Sequence, residues 1–208
     1  MSAYRGSVRR GWRGALVAAV ATVSIGVAIH APHASAADKP GAAVDASGKL
    51  RVPDGYRTTY NFLGTWAVAK DQGAGSEELH VVYASPGTID AYRKNGSFPD
   101  GTVLVKEVYV AATEPMTTGT VSHSEKLRGW FVMVRDAKGR YPQGDTWGDG
   151  WGWAWFDDGK PTVASRNLPM KSGVPMPTFN YKQNCLACHT PAKATEWIFT
   201  QGYPPLKK

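Results

Sequence analysis

The only two cysteines of the chain lie near its carboxyl end, in the sequence Cys185-Leu186-Ala187-Cys188-His189. A C-x-x-C pair can serve as a redox dithiol, as half of a zinc site, or as an attachment point for haem c. The C-x-x-C-H form is the haem c signature, because the thiols add to the two porphyrin vinyl groups and the next side chain reaches the iron. The pattern predicts one covalent haem c, with His189 as an iron ligand.

The other uses of the cysteine pair find less support in the sequence. Zinc needs four ligands, and only His80 and His123 remain as further donors once an N-terminal leader is removed. A thioredoxin-type pair should follow a strand at the start of a βαβ unit, whereas this pair lies near the end of a strand-rich chain. A plain disulfide is the remaining alternative to haem.

The second axial position of the iron has no evident ligand. A cytochrome c that carries electrons supplies a methionine after the motif, and no methionine lies beyond His189. Met133 and the other methionines all precede it. The sequence therefore predicts an open or weakly occupied distal site, and open iron binds small molecules such as gases and nitrogen oxides.

Strands are the elements expected to position these groups. Aromatic and β-branched stretches with alternating polarity predict strands at 58–69, 79–84, 101–113 and 127–137. Ser85 and Pro86 predict the start of one inner helix, as N-cap and first residue, and Gly96 predicts its end. The predicted fold class is mainly β: an antiparallel, sandwich-like sheet with one inner helix and a short C-terminal helical segment that carries the C-x-x-C-H sequence.

Three tryptophans alternate along one further stretch, WGWAWF, and are Trp151, Trp153 and Trp155. Residues two apart on a strand share a face, so the three indoles should form one stripe. Such a stripe either packs the core or stacks on a sugar or a planar cofactor.

The N-terminus predicts export. Arg9 and Arg10 begin a basic region, the apolar stretch 14–29 is short for a membrane span, and Ala34-Ser35-Ala36 is a typical cleavage pattern. We predict a signal peptide over 1–36 cleaved near Ala36, a flexible arm over 37–50, one haem domain over 51–208, and a periplasmic location. An uncleaved membrane anchor is the alternative; after cleavage none would remain.

Charge gives no indication of a nucleic-acid partner. The formal net charge is +7, but residues 1–36 contain four arginines and no acid. The remaining chain has 20 basic and 17 acidic side chains, a net charge of +3, and no basic run that alternates with aromatic residues.

Most of residues 50–206 resembles the cytochrome P460 family. The similar stretches follow the family's order and are 79–107, 163–169 and 185–206. The most specific part is the Asp100-Gly101-Thr102 turn followed by the strand VLVKEV. The resemblance implies a β-rich periplasmic protein with one haem c, usually a homodimer, and the best-known members oxidise hydroxylamine.

The resemblance also implies a role for Lys106. In this family, a lysine in the strand after the turn is bonded through its side-chain nitrogen to a meso carbon of the haem. Alternation sets Lys106 on the face of Leu104, with Val105 and Glu107 on the other face. A lysine buried against haem would lose its proton easily and become a nucleophile. A solvated lysine paired with an acid is the alternative.

Two positions depart from the family's hydroxylamine-oxidising pattern. The pattern's arginine before the inner helix corresponds to His80, and its carboxylate in the strand 127–137 corresponds to Phe131. We predict a distal pocket of His80, Phe131 and Met133, with Lys106 and His80 as catalytic residues. His80 would replace the missing base if it points inward; otherwise it is a structural histidine bonded to the backbone. His123 is expected in a solvated polar loop.

Two functions remain open from the sequence. One is a periplasmic enzyme that oxidises hydroxylamine to nitrogen oxides and passes the electrons to another cytochrome. The other is a protein that binds nitric oxide, as in the related cytochromes c-prime-beta, which share the fold but lack the lysine link. Lys106 favours the first function, and Phe131 favours the second.

Overall fold

The computed structural model describes residues 42–166 and 179–207. The predicted signal peptide over 1–36 and residues 37–41 of the predicted arm lie outside these ranges. Among the described residues, no helix has both the length and the apolar character that a membrane crossing requires.

One antiparallel sheet of six strands forms the body of the described chain, in the order β1-β2-β3-β4-β6-β5. The strands are β1 (Asn61–Ala69), β2 (Ser76–Ala84), β3 (Val103–Met116), β4 (Gly119–Arg135), β5 (Trp147–Gly148) and β6 (Trp151–Asp157). The predicted fold class is confirmed. The boundaries differ, and the important difference is that β2 begins three residues before the predicted strand at 79–84.

Strands β3 and β4 form one long hairpin, in which Met116 pairs with Gly119. His123 therefore lies on β4, and the prediction of a polar loop there is wrong because the backbone ladder with β3 continues to the hairpin turn. Its exposure is as expected: the His123 ring is half exposed, and its Nε2 lies 2.9 Å from Glu114 Oε1.

Two helices precede the hairpin: α1 (Tyr56–Thr59) and α2 (Thr88–Asn95). The predicted start of α2 is wrong, because Gly87, with a φ of +79°, is the N-cap. Ser85 instead ties the loop before α2 to β3, because its Oγ accepts a hydrogen bond from the Val103 N–H at 3.0 Å. Gly96 ends the helix with a φ of +72°, as predicted.

One face of the sheet is covered by α1 and by residues 42–52. Val44 pairs with Leu50 in an isolated bridge, and both side chains are buried in the core on this face. The prediction of a flexible arm is therefore wrong for 42–50: the segment is small and polar on average, yet its few apolar side chains pack against the sheet.

The other face of the sheet is covered by the C-terminal segment. This segment is a chain of short helices: a π-helical turn (Lys182–Leu186), α3 (Ala187–His189), and three 3₁₀ turns (Thr190–Thr195, Thr200–Gly202 and Pro204–Leu206). Cys185 and Cys188 lie in it, as predicted. Trp151, Trp153 and Trp155 are all buried.

Candidate functional site

A cavity of about 590 Å³ lies between the sheet and the C-terminal segment. Its walls include every residue that the sequence predicted for the site: His80, Lys106, Phe131, Met133, Cys185, Cys188 and His189. The cavity lies within the usual volume range of cofactor sites. Trp153 and Trp155 also line it, so part of the tryptophan stripe both packs and faces the cavity.

His189 is held in the orientation that an iron ligand needs. Its Nδ1 lies 2.6 Å from the carbonyl oxygen of Trp197 and donates a proton to it, which leaves Nε2 as the nitrogen with a free lone pair. The rings of Trp153 and Phe199 lie 5.3 and 5.5 Å from the imidazole. Burial lowers the pKa of His189, so the ring stays neutral and able to coordinate.

The carbonyl that accepts this hydrogen bond belongs to an unusual turn. Glu196 and Trp197 both have left-handed backbone angles, with φ of +55° and +68°. The Glu196 carboxylate holds the turn, because it accepts the Phe98 N–H at 2.6 Å and an Arg135 N–H at 2.6 Å. A left-handed conformation is costly for a bulky residue and persists only where the surroundings fix it.

The two cysteines are free thiols in the structure. They lie three positions apart on one helical turn, so both side chains can face the cavity. Burial raises the pKa of Cys185 to about 12. A reactive dithiol requires a lowered pKa, so this environment does not favour that alternative.

No three His, Cys, Asp or Glu side chains come together as a metal site within 42–166 and 179–207. His123, one of the two extra donors that a zinc site would need, lies on the exposed hairpin and does not line the cavity. The zinc alternative therefore gains no support.

Lys106 lies in the middle of the sheet wall. Its strand pairs it with Val82 on one side and Phe131 on the other, and its Nζ lies 4.3 Å from the centre of the Phe131 ring. The Phe131 ring in turn contacts Trp155 at 4.6 Å. Burial lowers the pKa of Lys106, so the amine can become the nucleophile that the resemblance requires.

The alternation predicted around Lys106 is confirmed. Glu107 faces the opposite side of the sheet, where it is 2% exposed. There its carboxylate accepts hydrogen bonds from the Tyr56 hydroxyl and, at 2.5 Å, from Arg57 Nε. Glu107 therefore takes no part in the cavity.

His80 points into the cavity, and its partner is a side chain, not the backbone. Its Nε2 lies 3.0 Å from Glu78 Oε2, and Glu78 also lines the cavity. Burial lowers the pKa of His80. The pKa of Glu78 is also lowered, by the hydrogen bond from His80 and the ion pair with Arg128.

Glu78 is the functional candidate that the sequence analysis missed. Phe131 puts an apolar ring in the cavity wall, at the position where the resemblance predicts a carboxylate, and Glu78 supplies a carboxylate from another strand. The signal was present, because Glu78 and His80 lie two apart and so share a strand face. A predicted strand that began at Leu79 excluded it.

The side chains around the cavity match the needs of a covalent haem. Two thiols and an imidazole with its Nδ1–H already engaged lie on one wall, and the facing wall is mostly apolar and aromatic. The family model described as Cytochrome P460 matches residues 53–200, more than half of the chain.

The chain belongs to the cytochrome P460 family. No curated protein matches it. Family membership implies a covalent haem c, and Cys185, Cys188 and His189 are the residues that fit this group. The matched range also includes His80, Lys106 and Phe131.

Proposed function

We propose that this member of the cytochrome P460 family oxidises hydroxylamine to nitrogen oxides in the periplasm, after cleavage of a signal peptide near Ala36. Lys106 is the observation that carries the proposal. Its amine lies over the Phe131 ring inside the cavity that also holds the C-x-x-C-H residues. We further propose a redox partner cytochrome and a homodimer, with no nucleic-acid partner and no membrane anchor.

When bound, haem c would supply an iron that takes up electrons and binds small molecules. Cys185 and Cys188 would hold the group through thioether bonds, and His189 Nε2 would bind its iron. The Trp197 carbonyl keeps that imidazole in the required tautomer.

Lys106 would modify the electronic properties of the haem. Nζ of Lys106 is the atom that would hold the haem through an additional covalent bond at a meso carbon, and forming that bond would require an external two-electron oxidant. The lowered pKa of Lys106 favours the neutral amine that this bond needs. Such a link interrupts ring conjugation and distorts the macrocycle, which changes the iron potential.

His80 would accept a proton from hydroxylamine. Oxidation of hydroxylamine releases protons as well as electrons, so the pocket needs a proton acceptor near the ligand. His80 lines the cavity, and its lowered pKa keeps the ring neutral near neutral pH.

The proposal is tested by the spectrum, the haem peptide and the turnover of the protein expressed with the haem c maturation machinery. We expect a strongly red-shifted Soret band in the reduced protein, a haem peptide joined to a second peptide containing Lys106, and electron transfer from hydroxylamine to an artificial acceptor. An ordinary c-type spectrum without turnover would contradict the proposal.

Nitric-oxide binding is the second candidate, and Phe131 favours it. The ring of Phe131 makes part of the cavity wall apolar. The resemblance to the family's hydroxylamine-oxidising pattern implies a carboxylate at this position. Tight nitric-oxide binding together with no hydroxylamine turnover and no lysine link would select this function.

A further inference from the structure

We infer that Glu78 and Arg128 form a positioning pair that holds His80 as the proton acceptor of the cavity. The inference rests on the proposed hydroxylamine oxidation and extends it to two residues that neither the C-x-x-C-H motif nor the D-G-T turn indicates.

The tautomer of His80 follows from the partner of its ring. An ionised carboxylate can only accept hydrogen bonds, so the 3.0 Å contact with Glu78 Oε2 requires the proton on Nε2 of His80. The lone pair then lies on Nδ1. Within the part of the chain that the structure describes, Nδ1 makes no hydrogen bond, so it is free to accept a proton from a ligand in the cavity.

Arg128 reaches Glu78 because of a β-bulge. Val108 on β3 pairs with Gly129, whereas Tyr109 pairs with Leu127, so Arg128 is an extra residue in β4. Bulges change the direction in which a side chain points, and here the guanidinium pairs with Glu78 on β2. The pair is therefore built into the strand geometry.

The bulge depends on the glycine beside it. Gly129 has a φ of +153°, and a Cβ at this position would collide with the carbonyl oxygen of Phe156 and the indole of Trp155. A side chain at 129 would disturb the bulge and with it the approach of Arg128 to Glu78.

The charges that face His80 act in opposite directions. Glu78 on β2 favours the imidazolium, and Lys106 on β3 disfavours it while Lys106 carries a proton. A neutral or haem-linked Lys106 has no such effect. Arg128 on β4 acts through Glu78, and Trp66, which faces His80 from β1, carries no charge. The carboxylate therefore makes His80 a better base than it would be beside Lys106 alone.

The step itself is one proton transfer. An N–H or O–H bond of hydroxylamine breaks, its proton joins the Nδ1 lone pair of His80, and the electron pair of that bond stays on the substrate. The electrons of the subsequent oxidation go to the proposed redox partner cytochrome. The imidazolium that forms keeps its Nε2–H on Glu78, whose charge stabilises it. The same logic orients the histidine of a Ser-His-Asp triad.

The experiment compares Glu78→Gln with the wild-type holoprotein. Histidine ¹⁵N shifts are followed against pH in the diamagnetic ferrous carbon-monoxide form. We expect the Nε2–H tautomer of His80 in the wild type and a fall of about 1 unit in its pKa in the variant, because the neutral amide removes a charge. Hydroxylamine turnover should fall about 10- to 100-fold, with its acidic limb moved to lower pH.

Glu114→Gln is the matched control, because Glu114 makes the same kind of contact with His123 on the exposed hairpin, 2.9 Å from Nε2. It should leave both the His80 shifts and the turnover unchanged. Glu78→Asp should recover part of the turnover, and Arg128→Gln should lower it less than Glu78→Gln does.

The inference fails if the tautomer and pKa of His80 are the same in Glu78→Gln as in the wild type, or if the turnover profile does not move. If Glu78→Gln does not fold, Arg128→Gln is judged by the same two measurements. The absence of hydroxylamine turnover in the wild type overturns the proposed function alone, since the histidine shifts still test the positioning pair.

Discussion

The two walls of the cavity are built in different ways. The C-terminal wall comes from one continuous segment, in which Cys185, Cys188 and His189 are near neighbours in sequence. The sheet wall takes Glu78, Lys106 and Phe131 from three strands, and only the pairing of β2, β3 and β4 brings them together. The residues that would attach the haem can therefore be encoded in a short motif, whereas the residues that would face it from the sheet are brought together only by the register of the strands.

The largest effect should come from breaking the motif. In a Cys185→Ser, Cys188→Ser double variant that also carries Lys106→Arg, neither a thioether nor the lysine link can form, and we expect complete loss of covalent haem. Haem staining on a denaturing gel measures it. A covalently stained band in this variant would contradict the assignment of the C-terminal wall.

Lys106→Arg should change the haem while leaving it attached. Arginine keeps its proton at any relevant pH and cannot act as the nucleophile. We expect the reduced Soret band to move to the position of an ordinary c-type haem. We also expect the haem peptide to be recovered without the linked second peptide that contains position 106. Lys126→Arg, an exposed substitution on β4, is the control and should leave both unchanged. A red-shifted band in Lys106→Arg would exclude the link.

Phe131→Glu tests whether the sheet wall already supplies an effective proton acceptor. A carboxylate there would match the pattern that the resemblance implies and should raise hydroxylamine turnover. We expect a gain below about tenfold, because His80, positioned by Glu78, is proposed to accept the proton already. A gain of about a hundredfold or more would mean that the wild-type pocket has no effective proton acceptor.

Glu196→Gln should weaken the C-terminal wall without removing the haem. The amide cannot replace the charge that pairs with Arg135, so we expect a loss of about 1–3 kcal/mol in the free energy of unfolding, measured with urea. Glu125→Gln, on the exposed part of β4, should leave this free energy unchanged. Equal stability of the two variants would show that the left-handed turn does not need Glu196.

The smallest effect concerns acid stability. The folded-state pKa of Glu78 lies below its usual value of 4.5, because of the His80 hydrogen bond and Arg128. Its contribution to stability is present above about pH 4.5 and is lost as the pH falls through the folded-state pKa. The difference in urea stability between the wild type and Glu78→Gln should therefore shrink below pH 4.5. A constant difference would mean that Glu78 is not ionised in the folded protein.

Much of the site could be predicted because its parts are local or periodic. The C-x-x-C-H spacing gave three residues directly, and strand alternation alone separated Lys106 from Glu107. The packing of Val44 and Leu50 could not be predicted, because it depends on a sheet face that distant residues create.

Glu78 was missed because strand ends are set by pairing and not by composition. The residues before Leu79 are polar and resemble a loop, yet their backbone continues the ladder with β1 and β3, and Glu78 pairs with Val110. Likewise, no local pattern reveals that Arg128 is the extra residue of a bulge, since a bulge is defined only by the partner strand.

Lys106 and Glu107 are adjacent in the chain, and one faces the cavity while the other faces the Tyr56 side of the sheet. A shift of β3 by a single residue would exchange them, bringing a carboxylate to the porphyrin and an ammonium group into the opposite core. Because both faces of the sheet are covered here, only the observed register of this hairpin keeps Lys106 in the cavity and Glu107 on the opposite face. The position of Lys106 in the cavity thus depends on the salt bridge between Arg57 and Glu107, which lies on the opposite face of the same strand.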